Sequence, residues 1–441
     1  MSKELLDNIK AAGVVGAGGA GFPTHIKLAA KAETLIVNAA ECEPLIRVDQ
    51  QLLQTHAEEF FKGLDIALQL SGASQAKIAI KAKHAEIIKE LKVRAANSKN
   101  IEIFEMGDFY PAGDEQVLVY DVLGKVVPRG GIPLAVGTVV SNVETLINVA
   151  RAVNSLPVTT TFVTVAGDLP KPATYELPIG ISYREALALA GATDLDGKSA
   201  LDGGPMMGKL ISDLDAPITK TTKAVLLFDN NNRVITESLM SEGMVLKQSR
   251  TACEQCQKCT DLCPRDLLGH DVKPHLTMRI ANYGISDFQG MTRSLGCSEC
   301  GACELYSCPC GLSPRRVNQL VKQQLAKAGV KVDNSGLDFK ALPMFAYRKI
   351  PVKRLIARLG LRDYDRPAPL STLQYQPKQV TMLLKQHLGA PATAVVSMGD
   401  AVNKGDLIAK IDDDKLGANI HASITGQVTA ANDAAIVLTK N

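Results

Sequence analysis

CEQCQKCTDLCP, residues 253–264, is the stretch on which the reading of this chain turns. Cys253, Cys256, Cys259 and Cys263 are separated by two, two and three residues, and Pro264 follows directly. That spacing lets three thiolates converge on one [4Fe–4S] cubane, while the fourth lies past the turn and reaches a second cluster. The proline ends the local turn without needing a donor. A second group, CSECGACELYSCPC at 297–310, repeats the pattern with Cys297, Cys300, Cys303 and Cys308, its last gap one residue longer. The crossed pattern predicts one cluster on Cys253, Cys256, Cys259 and Cys308, and the other on Cys297, Cys300, Cys303 and Cys263. Cys310 is then spare, or takes the place of Cys308. Structural zinc is the competing reading. Zinc ribbons use four ligands per ion, and two triplets each followed by Cys-Pro suit cubanes better.

The rest of the composition narrows the class. The chain has 441 residues, enough for two to four domains with sizeable cores. Lys plus Arg is 49 and Asp plus Glu is 46, a near balance that argues against a general nucleic-acid binder. No apolar run reaches the roughly 18 residues of a membrane span, so none is expected. The N-terminal residues carry Glu4 and Asp7 before a Gly-rich run, so a signal peptide is not expected either. The chain reads as cytoplasmic, where disulfides are rare. Nine of the ten cysteines fall between 253 and 310, which makes metal binding their leading role.

Paired clusters carry single electrons, so something upstream must supply them. Residues 13–27 read GVVGAGGAGFPTHIK, and Gly16, Gly18, Gly19 and Gly21 permit close backbone approach to a ligand. A phosphate cradle is one reading. The dinucleotide fingerprint, however, needs a strand just before the glycines. Here KELLDNIKAAG precedes them, with Leu5, Leu6, Ile9 and Ala12 at helical spacing. The loop alone therefore leaves a nucleotide site and a plain connector equally open. The following TLIVNAAECEP predicts a buried strand at Leu35–Val37 ending in Asn38, Glu41 and Glu43. Ligands of open α/β sheets sit beyond such strand ends. Further on, YPAGDEQVL places Gly113, Asp114 and Glu115 before an apolar helical run, and SNVETLINVARAV sets Asn142 at a helix start with Glu144 and Thr145 in its first turn.

These segments together resemble the flavin- and NADH-binding subunits of respiratory complex I and the RnfC-type electron-transport subunits. Matched position by position, the resemblance implies FMN contacts from Gly16, Gly18, Lys27, Asn38, Glu41, Gly113, Asp114, Asn142 and Thr145. It implies that Gly19, Ala20, Phe22, Glu43, Tyr110 and Glu115 face the nicotinamide nucleotide. Ala40 departs from the acidic residue common among the complex I members. Cys42 is read as a small buried residue. No general acid or base is assigned, because hydride transfer to a flavin needs none from a side chain.

The implied fold is multidomain α/β. Residues 1–155 form a Rossmann-like FMN/NADH domain. Residues 156–235 resemble a β-grasp module of the soluble-ligand-binding SLBB type, in which Met206 and Met207 are expected to pack at a turn. Residues 240–330 form a helical ferredoxin-like domain with two [4Fe–4S] clusters, with His270 and His275 in surface or capping roles. Residues 331–377 read as a basic linker, with Arg348, Lys349, Lys353, Arg354, Arg358 and Arg362 on a solvated face or a docking surface. Residues 378–441 resemble a β barrel-sandwich hybrid of the biotinyl/lipoyl type. Its one carrier-lysine candidate, Lys415, has the wrong context and is expected to be unmodified.

Domain order selects within the family. RnfC-type chains carry the sandwich before the glycine loop, whereas here it comes last. This order resembles the cobalamin-reductase family of propanediol-utilisation microcompartments. The resemblance implies NADH as donor, cobalamin as the substrate reduced to cob(II)alamin and cob(I)alamin, and a cob(I)alamin adenosyltransferase as partner. Microcompartment shell proteins are further implied partners, and location within a bacterial microcompartment follows from them. An RnfC-like input subunit of a membrane ion pump and a non-enzymatic microcompartment scaffold are the alternative functions.

Overall fold

Four parallel strands organise the first half of the molecule, a computed structural model that describes residues 2–440. Their order is Ile101–Met106, Gln75–Lys81, Thr34–Ala39, Thr138–Asn142. Every neighbouring pair is parallel. The expected strand at 35–37 is found, extended by a residue or two at each end. Leu35, Ile36 and Val37 have no exposed surface, as a strand covered by helices on both faces requires. From Thr34–Ala39 the chain builds outward on one side, then returns to add Thr138–Asn142 on the other. This reversal opens a crevice at the carboxyl ends of the two central strands, where ligands of such sheets bind. Asn38 and Asn142 are cross-strand partners at that spot.

Helices Ala57–Ser71 and Val143–Val153 pack closely on one face of the sheet. Gly63 makes the contact feasible, because a Cβ there would stand 1.8 Å from the carbonyl oxygen of Leu146. The N-terminal helix Ser2–Ala11 buries Ile9 and leads into the glycine loop.

A mixed five-stranded sheet follows, in the order Ala173–Pro178, Thr160–Gly167, Ala224–Asp229, Lys198–Asp202, Lys209–Leu210. Its helix Tyr183–Leu189 starts with a full capping box between Ser182 and Glu185. Short helices then carry the cysteines, buttressed by Pro274–Tyr283 and Pro314–Lys327. The C-terminal unit has one sheet of four strands, Gln379–Leu383, Ala435–Thr439, Gly426–Ala431 and Ala401–Val402. Its second sheet has three short strands: Thr393–Ala394, Leu407–Lys410 and Ile420–His421. Lys415 sits on an exposed turn, paired with Asp412 at 2.6 Å. Among the described residues no helix is long and apolar enough to cross a membrane.

The segment read as a basic linker is a strap instead. Ile350–Pro351 pairs antiparallel with Phe109–Tyr110. Lys349 bonds Asp121 and stands 4.3 Å from the Phe109 ring centroid, while Arg348 bonds Asp261 at 2.9 Å. Arg358 donates to the carbonyl of Cys308, and Arg366 to those of Gly167 and Leu169. Several of its charges thus satisfy partners in three other units, which is why the segment follows the surface so closely.

Candidate functional site

The glycine loop is anchored where the sheet reverses. Ala17 N–H donates to Thr145 Oγ1 at 2.9 Å, and Gly16 N–H to the carbonyl of Phe22. Gly18 lies against Asn142, whose side-chain atoms would be 3.1 Å from a Cβ at that position. Asn142 caps helix Val143–Val153 by accepting from Glu144 N–H, and donates to Asp49 Oδ2 at 2.9 Å. Across the crevice, Asn38 donates to the carbonyl of Gly113 at 2.9 Å, and Cys42 packs against Gly113. Gly18, Gly19 and Ala20 are exposed, Phe22 is half-buried, and a Cβ at Gly19 would meet nothing within 4 Å. The result is a cradle of bare backbone beside two helix starts, suited to an anionic, planar ligand.

Acidic groups surround it. Glu41 accepts from Asp49 N–H and Gln50, and burial beside Asp49 lifts its pKa to about 7. Glu43 is also lifted to about 7 by burial; one oxygen accepts from Met206 N–H, and the other is buried without a partner. Lys27 donates to the carbonyl of Val140 at 2.8 Å and pairs with exposed Glu115 at 3.2 Å. Beneath them Lys223 is paired with Glu144, and burial lowers its pKa to about 8. Asp49 and Lys223 carried no local motif and come from distant chain segments, so sequence reading had no signal for them.

Two expected contacts point elsewhere. Tyr110, read as facing a nicotinamide, is 2% exposed, and its hydroxyl donates to the carbonyl of Cys300 at 2.6 Å. Asp114, read as a flavin contact, is fully committed. One oxygen caps helix Glu115–Leu123 through the N–H groups of Gln116 and Val117, and the other pairs with Arg265 at 2.8 Å. Both side chains turn toward the cysteines because that junction is buried and must be satisfied. Met206 is buried and Met207 exposed at their turn. His270 is buried rather than on the surface, its Nε2 bonded to Val127 O at 2.8 Å. His275 is half-buried, its Nδ1 2.7 Å from Thr260 Oγ1.

The cysteines surround two cavities. Cys253, Cys256, Cys259, Cys308 and Cys310 line one, and Cys263, Cys297, Cys300 and Cys303 line the other. Each CxxCxxC turn is curled by two left-handed residues at matching places, Gln255 and Gln257 in one and Glu299 and Gly301 in the other. Glu299 N–H points at Cys297 Sγ, and Leu312 N–H at Cys308 Sγ. The longer gap of the second group is absorbed by a π-helical turn, Ala302–Ser307, which brings Cys308 back to the first cavity. Cys308 is buried there and Cys310 is exposed. Burial and neighbouring thiols push Cys259 and Cys300 up to about 12, so a resident cation is needed to hold them as thiolates. The thiols are spread around the walls of the two cavities, an arrangement compatible with a polynuclear cluster. Arg265 Nε, buried and unpartnered, belongs to a side chain in the wall of the second cavity.

Comparison with known proteins covers the whole chain. Residues 9–151 match the Nuo51 FMN-binding domain, 162–210 the SLBB domain, 252–313 a 4Fe-4S dicluster domain and 362–441 the RnfC barrel sandwich hybrid domain. Cobalamin reductase PduS of Salmonella typhimurium is 43% identical over 99% of this chain and 96% of its own. The chain belongs to the PduS family. The PduS of Citrobacter freundii is 42% identical over the same shares. A component of the Na(+)-translocating ferredoxin:NAD(+) oxidoreductase complex of Acetobacterium woodii is 31% identical over 57% of this chain and 56% of its own. Like its family, the chain is a flavin and iron–sulfur oxidoreductase, with FMN and [4Fe–4S] clusters as cofactors.

Proposed function

We propose that this protein is an NADH-dependent cobalamin reductase, taking electrons from NADH through FMN and two [4Fe–4S] clusters to cobalamin for coenzyme B12 recycling in propanediol utilisation. The observation that carries this reading is the 43% identity to PduS over 99% of the chain, and the two cysteine-lined cavities support it. The partial match to the ion-pump component favours it over the RnfC-like alternative. The first unit, 1–155, is then a Rossmann-like FMN/NADH domain, and 156–235 a β-grasp module. Cob(I)alamin adenosyltransferase would consume the product, and shell proteins would enclose the enzyme in a microcompartment.

FMN, when bound, converts a hydride's electron pair into single electrons, the exchange that joins a nicotinamide to iron–sulfur clusters. The chain's part is placement. Gly16, Gly18, Asn38, Glu41, Gly113, Asn142 and Thr145 shape the flavin cradle, and the bare backbone at Gly19 and Ala20 leaves one side open to the nicotinamide, with Phe22 and Glu115 at its rim. Lys27 supplies positive charge near the loop once Glu115 releases it. Glu43 ties the cradle to the Met206 turn of the second unit. Cys253, Cys256, Cys259 and Cys308 would hold one cluster, and Cys263, Cys297, Cys300 and Cys303 the other.

Anaerobic purification with iron, sulfide and flavin quantified, followed by NADH titration under EPR and a cobalamin-reduction assay, tests the reading. Protein that oxidises NADH and reduces its clusters but reduces no corrinoid, even with adenosyltransferase present, would overturn the substrate assignment.

A further inference from the structure

The two cysteine sets are not equivalent. The set of Cys263, Cys297, Cys300 and Cys303 is held to the flavin-binding unit by two contacts, the buried bond of Tyr110 to Cys300 and the part-buried pair of Arg265 with Asp114. It is the inner one. The other set opens outward, with Cys256 and Cys310 exposed.

Beside this outer set lies an open cavity of about 650 Å³, walled by Lys258, Asp261, Tyr306, Arg348, Arg354 and Arg358 among others. Lys258 shares a four-residue helix with Cys259. Arg358 donates to the carbonyl of Cys308 at 3.1 Å. The cavity therefore touches both the helix and the turn that present outer ligands. Its single carboxylate, Asp261, is already paired with Arg348. Among the described residues, Lys258, Arg354 and Arg358 have no carboxylate within 4 Å. Lys258, Arg354 and Arg358 are exposed. Exposed cations are screened and do little for a neighbouring cluster, but they recognise an anion that enters the cavity. Guanidinium groups suit a phosphate above all.

Resting on the cobalamin reading, we propose that this basic cavity binds the phosphodiester of cobalamin's nucleotide tail and so seats the corrinoid beside the outer cysteine set. The tail phosphodiester is the anionic group that cobinamide lacks, which gives the test its control.

The test uses reconstituted holoprotein, compared at equal iron and flavin content. Equilibrium dialysis measures the affinity for hydroxocobalamin and for cobinamide at low and at moderate salt. Lys258→Glu with Arg354→Glu should weaken cobalamin binding by about tenfold or more and leave cobinamide binding unchanged. Arg354→Lys should retain most of the affinity, and the wild-type preference for cobalamin should shrink as salt rises. Unchanged cobalamin affinity, or equal loss for both corrinoids, would overturn the proposal. So would a lowered midpoint potential of the outer cluster with cobalamin affinity intact, since the cations would then serve the cluster. Loss of adenosyltransferase binding without loss of cobalamin affinity would assign the surface to a protein and equally overturn it. If the wild type neither binds nor reduces any corrinoid, the cobalamin reading itself fails, a result separate from these.

Discussion

Tyr110→Phe removes one oxygen from the junction between the flavin-binding unit and the inner cysteine set. The ring stays and no cavity opens, so the main loss is the 2.6 Å bond to the Cys300 carbonyl, with the hydroxyl's interaction with Glu43 beside it. Tyr110 is 2% and Cys300 8% exposed, so water does not readily replace the lost donor. Leaving such a carbonyl unsatisfied costs about 1–3 kcal/mol. A chain of several units does not unfold in one two-state step, so a single melting temperature would blur the effect. Local opening is the better readout. Hydrogen exchange of peptides spanning 109–114 and 297–303 should speed up roughly 5- to 160-fold, the ratio equivalent to that energy at 1.36 kcal/mol per decade. Peptides in strand Ala435–Thr439 should not change, because that strand pairs with Gln379–Leu383 and Gly426–Ala431 inside the C-terminal unit, away from the junction. Equal protection in wild type and variant at both peptides would refute the reasoning, since it would mean that the bond does not hold the two units together.

Gly63→Ala forces a Cβ to within 1.8 Å of the Leu146 carbonyl oxygen, so helices Ala57–Ser71 and Val143–Val153 must separate. Chemical denaturation should show a loss of about 1–3 kcal/mol or more; a neutral result would mean the packing is wrong. Cys308→Ser should lose the outer cluster's EPR signal and about four iron atoms per chain, whereas Cys310→Ser should keep both, because Cys308 is the buried thiol. The reverse pattern would exchange their roles. Glu43 has its pKa raised from 4.5 to about 7, so the folded chain holds the extra proton and this group's contribution to stability falls as pH rises between those values. Lys220 is lowered from 10.5 to about 7 by burial, so the unfolded chain holds the extra proton and stability recovers as pH rises from about 7 toward 10.5. Glu43→Gln and Lys220→Met should each flatten the stability-against-pH curve in its own window, and an unaltered slope would contradict the burial argument.

What sequence could reveal divides along a physical line. The cysteine turns are local objects, so their spacing was legible, and the structure groups Cys308 with Cys253, Cys256 and Cys259 and Cys263 with Cys297, Cys300 and Cys303 around two cavities. The apolar run at 35–37 is likewise enough for a covered parallel strand. The extra residue before Cys308 was visible as a longer gap, but its accommodation by a widened helical turn depends on where the cavity wall lies. Tyr110 and Asp114 were read as facing the nicotinamide and the flavin, and in the structure their side chains bond the Cys300 carbonyl and Arg265. A loop's composition does not say which neighbour its side chains must satisfy, and here that neighbour is some 150–190 residues away. The strap shows the same limit. Six cations in one stretch read as a solvated face or a docking surface, and the distant partners of three of them, Asp121 for Lys349, Asp261 for Arg348 and the Cys308 carbonyl for Arg358, left no local signal.

That strap also accounts for how the units keep their relation. At one end it adds a short strand to Phe109–Tyr110, with Val352 N–H donating to Asp108 O. Just before that strand, Lys349 reaches the helix that Asp114 caps, through Asp121. At the other end, Arg358 holds the carbonyl of Cys308. One continuous segment therefore touches the loop beside the glycine cradle, the helix behind it and a cysteine of the outer set. Electron transfer between fixed centres demands fixed spacing, and four units joined by free linkers would not provide it. Here the spacing is set by side-chain and backbone bonds spread across the segment, each modest alone, which together leave the units little freedom to drift apart. The positive charges of residues 348–358 are thus partly structural, at Arg348 and Lys349, and partly free, at Arg354. Arg354, in the wall of the cavity beside the outer set, remains available to a substrate.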